Sequence, residues 1–154
     1  GQYQNPLYPQ PTYDNPTYSV GRTLVTASID ESVKMFKNTY NISYDKLIVG
    51  VAFYGMKQIK SGTSWVAAGS VYYHDIYNSY YNNSNYTEYY DNVAGVAYIL
   101  KNDGTEFISY DNTKSIIQKS NYIIDNGLAG MMFWEYGTDT TGVLLQAMRT
   151  GLQK

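Results

Sequence analysis

Cysteine is absent from this 154-residue chain, and histidine occurs once, at His74. The first absence excludes a disulfide scaffold, a thiolate metal site and a cysteine nucleophile, and leaves the redox compartment open. The second leaves a single candidate base for a Ser-His-Asp arrangement and too few ligands for an ordinary zinc site. Charged residues make up 16% of the chain, the net charge is −2 and the eleven basic residues form no stripe. Nucleic acid and anionic membrane are therefore poor partners. No apolar run approaches the ~20 residues of a membrane span, and no signal peptide is visible. No cofactor and no metal are expected, and Gly1 in place of an initiating Met reads as a processed or truncated product.

What is abundant is tyrosine, with 19 copies, in a polar background of Asn, Ser and Thr. A phenol ring offers a flat apolar face and a hydroxyl on one side chain, which suits surfaces that meet polyhydroxylated, ring-shaped ligands in water. AT-rich codon usage produces the same enrichment, and the two explanations stand side by side.

The stretch 127–139, GLAGMMFWEYGTD, is apolar at nearly every position from Leu128 to Tyr136. That suits a strand buried on both faces, as in a parallel sheet. Its counterpart is 46–55, KLIVGVAFYG, of the same character and with an aromatic at its far end. Two such strands far apart in sequence, with a helix between them, point to a piece of an alternating β/α architecture. They would leave unpaired edges and an open apolar face, so the chain is expected to fold with a missing N-terminal part, with another copy, or as an unusual excised domain.

Residues 1–23 hold all four prolines and no periodicity, and read as a loop extended over another surface or as a linker. Tyr3, Tyr8, Tyr13, Tyr18 and Leu7 favour the former. Residues 26–40 read as an amphipathic helix with Ile29, Val33, Phe36 and Tyr40 on one face, capped by Thr26 or Ser28, with Asp30 and Glu31 in its first turn and Lys34 and Lys37 opposite. From Met56 to Ser64 the pattern turns polar, 65–73 is mixed, and 74–90 is a Tyr/Asn/Ser tract too polar for core. Asn102, Asp103 and Gly104 between two β-prone runs, 93–100 and 105–110, signal a hairpin. Asn112 or Thr113 caps a helix with Ile116, Ile117, Ser120, Ile123 and Ile124 on one face and Gly127 as its stop. Thr140 or Thr141 caps a last helix carrying Leu144, Leu145, Met148 and Leu152. This divides the chain into 1–56 (loop, helix, strand), 57–110 (an α+β insertion with a hairpin) and 111–154 (helix, strand, helix).

These words in this order resemble the C-terminal part of family 18 glycoside hydrolases, the chitinase-like (β/α)8 barrels. KLIVGVAFYG is similar to the family's seventh strand, FISYDN to the return from its insertion, and GLAGMMFWEYGTD to its eighth strand. Pro6, Leu7 and Tyr8 are similar to a Pro-Leu-Tyr after strand six, and Tyr90 and Asp91 stand where Trp-Asp is usual. The resemblance covers essentially the whole chain. It implies an α/β fold made of the C-terminal portion of a (β/α)8 TIM barrel, strands seven and eight with flanking helices, plus a small α+β insertion. It also implies an N-acetylglucosamine-containing polysaccharide as partner, chitin or peptidoglycan-type, and an extracellular or cell-wall setting.

By the same resemblance Trp134 is the apolar floor under the sugar at the cleavage point, Met132 faces the same interior, and Tyr54 points its hydroxyl toward the site. Alternation along a strand and the placing of barrel sites at strand C-termini agree with this. Three departures qualify it. Met56 stands where the family commonly has arginine. Glu135 alternates away from Trp134, so it is expected to be buried and paired with a base outside the cleft rather than catalytic. The Asp-x-x-Asp-x-Asp-x-Glu of strand four, which carries the family's chemistry, is absent, so no catalytic residue is expected in this chain and hydrolysis by it alone should be negligible. The alternative is a non-catalytic carbohydrate-binding member using Tyr72, Tyr73, Tyr77, Tyr80, Tyr81 and Tyr86. His74 and Asp75 read as a solvated loop pair, Asp103, Glu106 and Asp111 as turn and cap residues, and Asn41, Asn82 and Asn85 begin glycosylation sequons.

Overall fold

The computed structural model describes residues 1–9, 17–20, 23–26 and 28–153. Its strands and helices are β1 (Thr17–Val20), β2 (Thr23–Thr26), α1 (Ile29–Tyr40), β3 (Ile48–Ala52), β4 (Tyr54–Ser61), β5 (Ser64–Tyr72), a short α2 (Tyr73–Asp75), β6 (Tyr86–Asp91), β7 (Val96–Lys101), β8 (Glu106–Tyr110), α3 (Thr113–Asn126), β9 (Gly130–Trp134) and α4 (Val143–Leu152). Mixed α/β architecture is thus observed: a parallel pair β3-β9, a five-stranded antiparallel sheet in the order β5-β4-β8-β7-β6, and the hairpin β1-β2.

The parallel pair is the two apolar stretches of the sequence, in register from Ile48↔Gly130 to Ala52↔Trp134. Burial on both faces is not what is found. Val49 and Val51 are buried, whereas Ile48 is 61% exposed, Met132 47% and Trp134 63%. Helices cover one face: Val49 packs with Ile29 and Val33 of α1 and Tyr122 and Ile123 of α3. Among the described residues no layer covers the other. The strand also ends sooner than the apolarity suggests, because Phe53 turns the chain: its N–H donates to the Trp134 carbonyl (2.8 Å) and its carbonyl accepts from Tyr73 (3.1 Å). Tyr54 therefore opens β4 rather than closing β3.

The loop expected over residues 1–23 holds for 1–9, but β1 and β2 pair antiparallel from Thr17↔Thr26 to Val20↔Thr23. Pro11, Pro16 and Tyr13 lie outside the described residues, as do the side chains of Tyr18 and Thr26. Helix α1 starts at Ile29, with Ser28 as its cap accepting from the Glu31 N–H. Tyr40 is 43% exposed, and Met35, not Tyr40, joins the buried side.

The middle of the chain is more regular than its composition. The polar stretch after Met56 is strand β4, joined to β5 by a turn in which Gly62 takes φ 62°. The Tyr/Asn/Ser tract holds core residues after all: Ile76 is fully buried and Tyr80, Tyr81 and Tyr86 pack on the same cluster, as does Tyr73 just before the tract, 2% exposed. Polar decoration and an apolar ring coexist on each tyrosine, which composition alone cannot apportion. Tyr110 donates to Glu88 (2.5 Å) and Tyr81 does so at 3.1 Å, while burial pushes the Tyr81 hydroxyl up to about 12. The β7–β8 hairpin forms as its turn residues require, with Asp103 accepting from Thr105 and Gly104 at φ 73°.

Helix α3 begins with a reciprocal capping box between Asn112 and Ser115 and ends at Gly127 in the left-handed region. Ile116 and Ile123 are buried, Ile124 is 40% exposed, and Lys119 has no exposure at all. Lys119 Nζ donates to Asp111 Oδ1 (2.5 Å), which also accepts from Ser115 Oγ (2.7 Å); Asp111 Oδ2 meets the Ala52 N–H (3.3 Å). Burial pushes the Lys119 ammonium pKa down, against the opposing pull of the Asp111 carboxylate. Asp111 is thus a buried tie, not a cap. Helix α4 is started not by Thr140 but by Asp139, whose carboxylate accepts from Thr141, Gly142 and Leu144 N–H groups, with Thr141 Oγ1 accepting from Val143. Leu144 and Met148 are buried, and Leu145 is 39% exposed.

Removing one partner of a buried pair strands the other charge. Asp111→Ala is expected to lower unfolding free energy by about 3–5 kcal/mol in a denaturant titration, with Asp111→Ala/Lys119→Met recovering part of the loss. A second expectation concerns acid. Hydrogen bonding from Lys57 holds the Glu106 carboxyl below its ordinary 4.5. A depressed carboxyl stabilises the fold above that value and loses the contribution as pH falls through the folded one. Denaturation midpoints should drop below pH 4.5, and Glu106→Gln should flatten that acid limb.

Candidate sugar-binding site

The site is built on the open face of β3-β9. Because side chains alternate along a strand, Met132 and Trp134 stand on the same side, opposite Gly50 and Ala52 of β3. Gly50 is what lets Met132 lie across the neighbouring strand: a Cβ there would sit 3.2 Å from the Met132 sulfur. Behind this ledge Phe133 stacks on buried Phe53, ring centroids 4.5 Å apart, which fixes the strand that carries Trp134.

Tyr54, Met132 and Trp134 line one open cavity of about 570 Å³. Ile29, Val33 and Phe36 of α1 line it too, together with Val49 and Val51 from the helix-covered side of β3, so the cavity wraps past the edge of that strand, with Gln4 and Asn5 beside it. The Asn5 amide donates to the Gly50 carbonyl (2.8 Å), so a side chain rather than a strand meets that backbone group. None of the described lining residues is Asp, Glu or His. The surface is apolar and aromatic, with hydroxyl and amide groups at its rim, which is the make-up of a pocket that holds a neutral polar ring.

Glu135 departs from expectation. It is exposed, it follows a cis Trp134–Glu135 peptide, and no ion pair joins it to a basic residue among the described ones. Strand β9 has already ended at Trp134, so alternation along it does not extend to Glu135. His74 is not a solvated loop histidine: its Nδ1 lies 3.1 Å from the Thr138 carbonyl, which can only accept, and its ring leans on Tyr72. It ties α2 to the turn after β9. Of the six tyrosines weighed as a sugar-binding surface, Tyr73, Tyr80, Tyr81 and Tyr86 pack on the core and only Tyr72 and Tyr77 are exposed.

The family model for Glycosyl hydrolases family 18 matches residues 2–139. The chain belongs to glycoside hydrolase family 18. It is 34% identical over 122 residues to chitinase A1 of Niallia circulans, covering 70% of this chain and 18% of that protein. A probable endochitinase of Orgyia pseudotsugata multicapsid polyhedrosis virus is 33% identical over 136 residues, 77% of this chain and 24% of the relative. Among solved structures, a family 18 N-acetylglucosaminidase from Paenibacillus barengoltzii superposes with a TM-score of 0.79 at 29% identity, covering 99% of this chain and 44% of that one. The family 18 chain thus spans under a quarter of those two curated relatives' length.

An indole that is 63% exposed contributes little to the packing of this family 18 chain. Trp134→Ala is expected to change unfolding free energy by no more than about 0.5 kcal/mol, whereas Phe53→Ala should cost about 3–5 kcal/mol. Denaturant titration of both variants checks the contrast.

Proposed function

We propose that this chain is the C-terminal portion of a (β/α)8 barrel, with β3 and β9 as its seventh and eighth strands, α1, α3 and α4 as flanking helices and residues 57–110 as the α+β insertion. In this reading it lines the sugar cleft of a secreted hydrolase acting on β-1,4-linked N-acetylglucosamine polymers, chitin or peptidoglycan-type, outside the cell or at its wall. The observation that carries it is the convergence of Tyr54, Met132 and Trp134 on one cavity, on a face of the parallel pair that no described residue covers. That its relatives include a chitinase and an N-acetylglucosaminidase supports the substrate class.

The roles follow from chemistry. The Trp134 face packs against the axial C–H groups of a pyranose, with the ring hydroxyls directed sideways to polar partners. Met132 fills the apolar space beside it, and Tyr54 offers a hydroxyl at the rim. Proton donation to the leaving oxygen requires a positioned acid, and the acidic motif of the family lies nowhere in these 154 residues. These residues bind and orient, and the acid comes from upstream strands that also cover the edges of β3 and β9, or a second copy covers those edges. If those strands lack the acid, the same cleft belongs to a non-catalytic carbohydrate-binding protein.

The test is a pair of measurements on the 154-residue chain and on a longer chain that includes its upstream strands. The short chain should be retained on insoluble chitin through Trp134 and release no product from chitin oligosaccharides; the longer one should cleave them. Cleavage by the short chain, or equal retention of Trp134→Ala, contradicts the reading.

A further inference from the structure

The face of β4 that carries Tyr54 continues past the cavity under Trp134. Tyr54, Met56 and Gln58 share one side of that strand, and its pairing with β8 runs without interruption from Met56↔Ser109 to Ile59↔Glu106. Met56 and Gln58 line a second cavity of about 530 Å³, with Trp65 of β5 at its far end. Gln4 lines both cavities. Its side-chain oxygen is buried and has no hydrogen-bond partner among the described residues. The Gln58 amide is held in place from both ends, donating to the Gln2 carbonyl (2.8 Å) and accepting from the Gln2 N–H (3.0 Å).

We infer that the two cavities form one track and that Trp65 is a second stacking platform for the same N-acetylglucosamine oligomer whose other part lies on Trp134. This rests on the sugar-binding reading of the Trp134 cavity. Three features carry it. The first is continuity through Gln4. The second is length: four residues of strand from Tyr54 to Gln58 span about 13 Å at ~3.3 Å per residue, longer than one pyranose ring, so only an oligomer reaches both ends. The third is chemistry. The second cavity offers an indole, a phenol, a thioether and the side-chain amides of Gln2, Gln4 and Gln58; its one charged lining side chain, Lys57, is paired with Glu106, and the Gly1 amino group also lines it. Such a surface fits a neutral chain bearing acetamido groups. Trp65 is steadied by Phe107 at 5.8 Å, and the ammonium near its ring belongs to exposed Lys60, 5.6 Å from the centroid, a contact that a sugar face can replace.

The chain has two tryptophans, so each can be read alone. In Trp134→Phe the only indole is Trp65, and saturating N-acetylglucosamine hexasaccharide should shift its fluorescence while the disaccharide does not. By calorimetry, Trp65→Ala should lower the ratio of hexasaccharide to disaccharide affinity about tenfold, the scale of one aromatic contact, and Trp134→Ala should weaken both sugars. If Trp65 emission is unmoved by hexasaccharide and the ratio is kept while Trp134→Ala still weakens both, the track is wrong and the Trp134 site stands. If neither sugar binds the unmodified protein, both readings fall. Should Trp65→Ala fail to fold, the fluorescence of Trp134→Phe decides alone.

Discussion

One buried carboxylate holds the three parts of this molecule in register. Asp111 follows β8 directly, accepts from Ser115 in the first turn of α3, takes the ammonium of fully buried Lys119 and meets the Ala52 N–H at the end of β3. The antiparallel sheet, the helix behind the parallel pair and the strand that leads to Tyr54 are therefore tied at one point. A charge taken out of water is costly unless it is paired and its remaining sites are bonded. Here both carboxylate oxygens are used, so the tie favours one arrangement of the sheet over the strand.

That arrangement explains why Tyr54 and Trp134 meet although they are far apart in sequence. Phe53 is the hinge between the two. It bonds to the Trp134 carbonyl, stacks on Phe133 and receives the Tyr73 N–H, so the end of β9, the end of β3 and the turn after β5 are fixed together. The apolar side of the parallel pair goes to the helices, and the side bearing Met132 and Trp134 is left to face outward. An exposed apolar ledge beside buried, well-packed neighbours marks a surface that another molecule or another part of a protein can cover.

Much of this was legible in the residues. The capping signal at Asn112, the stop at Gly127 and the Asn-Asp-Gly turn each act within a few residues, and local chemistry decides them. The family-like words of the two apolar strands located Tyr54, Met132 and Trp134, which do share a cavity. Strand β4 was hidden because Met56, Gln58 and Lys60 alternate with Lys57 and Ile59, leaving no apolar face to read. Lys119 was hidden because charge normally marks solvent. A signal did exist: Asp111, Ser115 and Lys119 recur every four residues, on the stripe that Ile116 and Ile123 bury. The exposure of Glu135 was hidden for the opposite reason, since an apolar run says nothing of where a strand stops.

The role proposed for the open face of β3-β9 is that of a sugar floor. The most direct measurement is a crystal structure of the protein soaked with an N-acetylglucosamine oligosaccharide. The account predicts a pyranose ring flat against the Trp134 indole, with Met132 beside it and the Tyr54 hydroxyl within hydrogen-bond reach. A sugar bound elsewhere on the chain, with the Trp134 face bare or covered by protein, would contradict it.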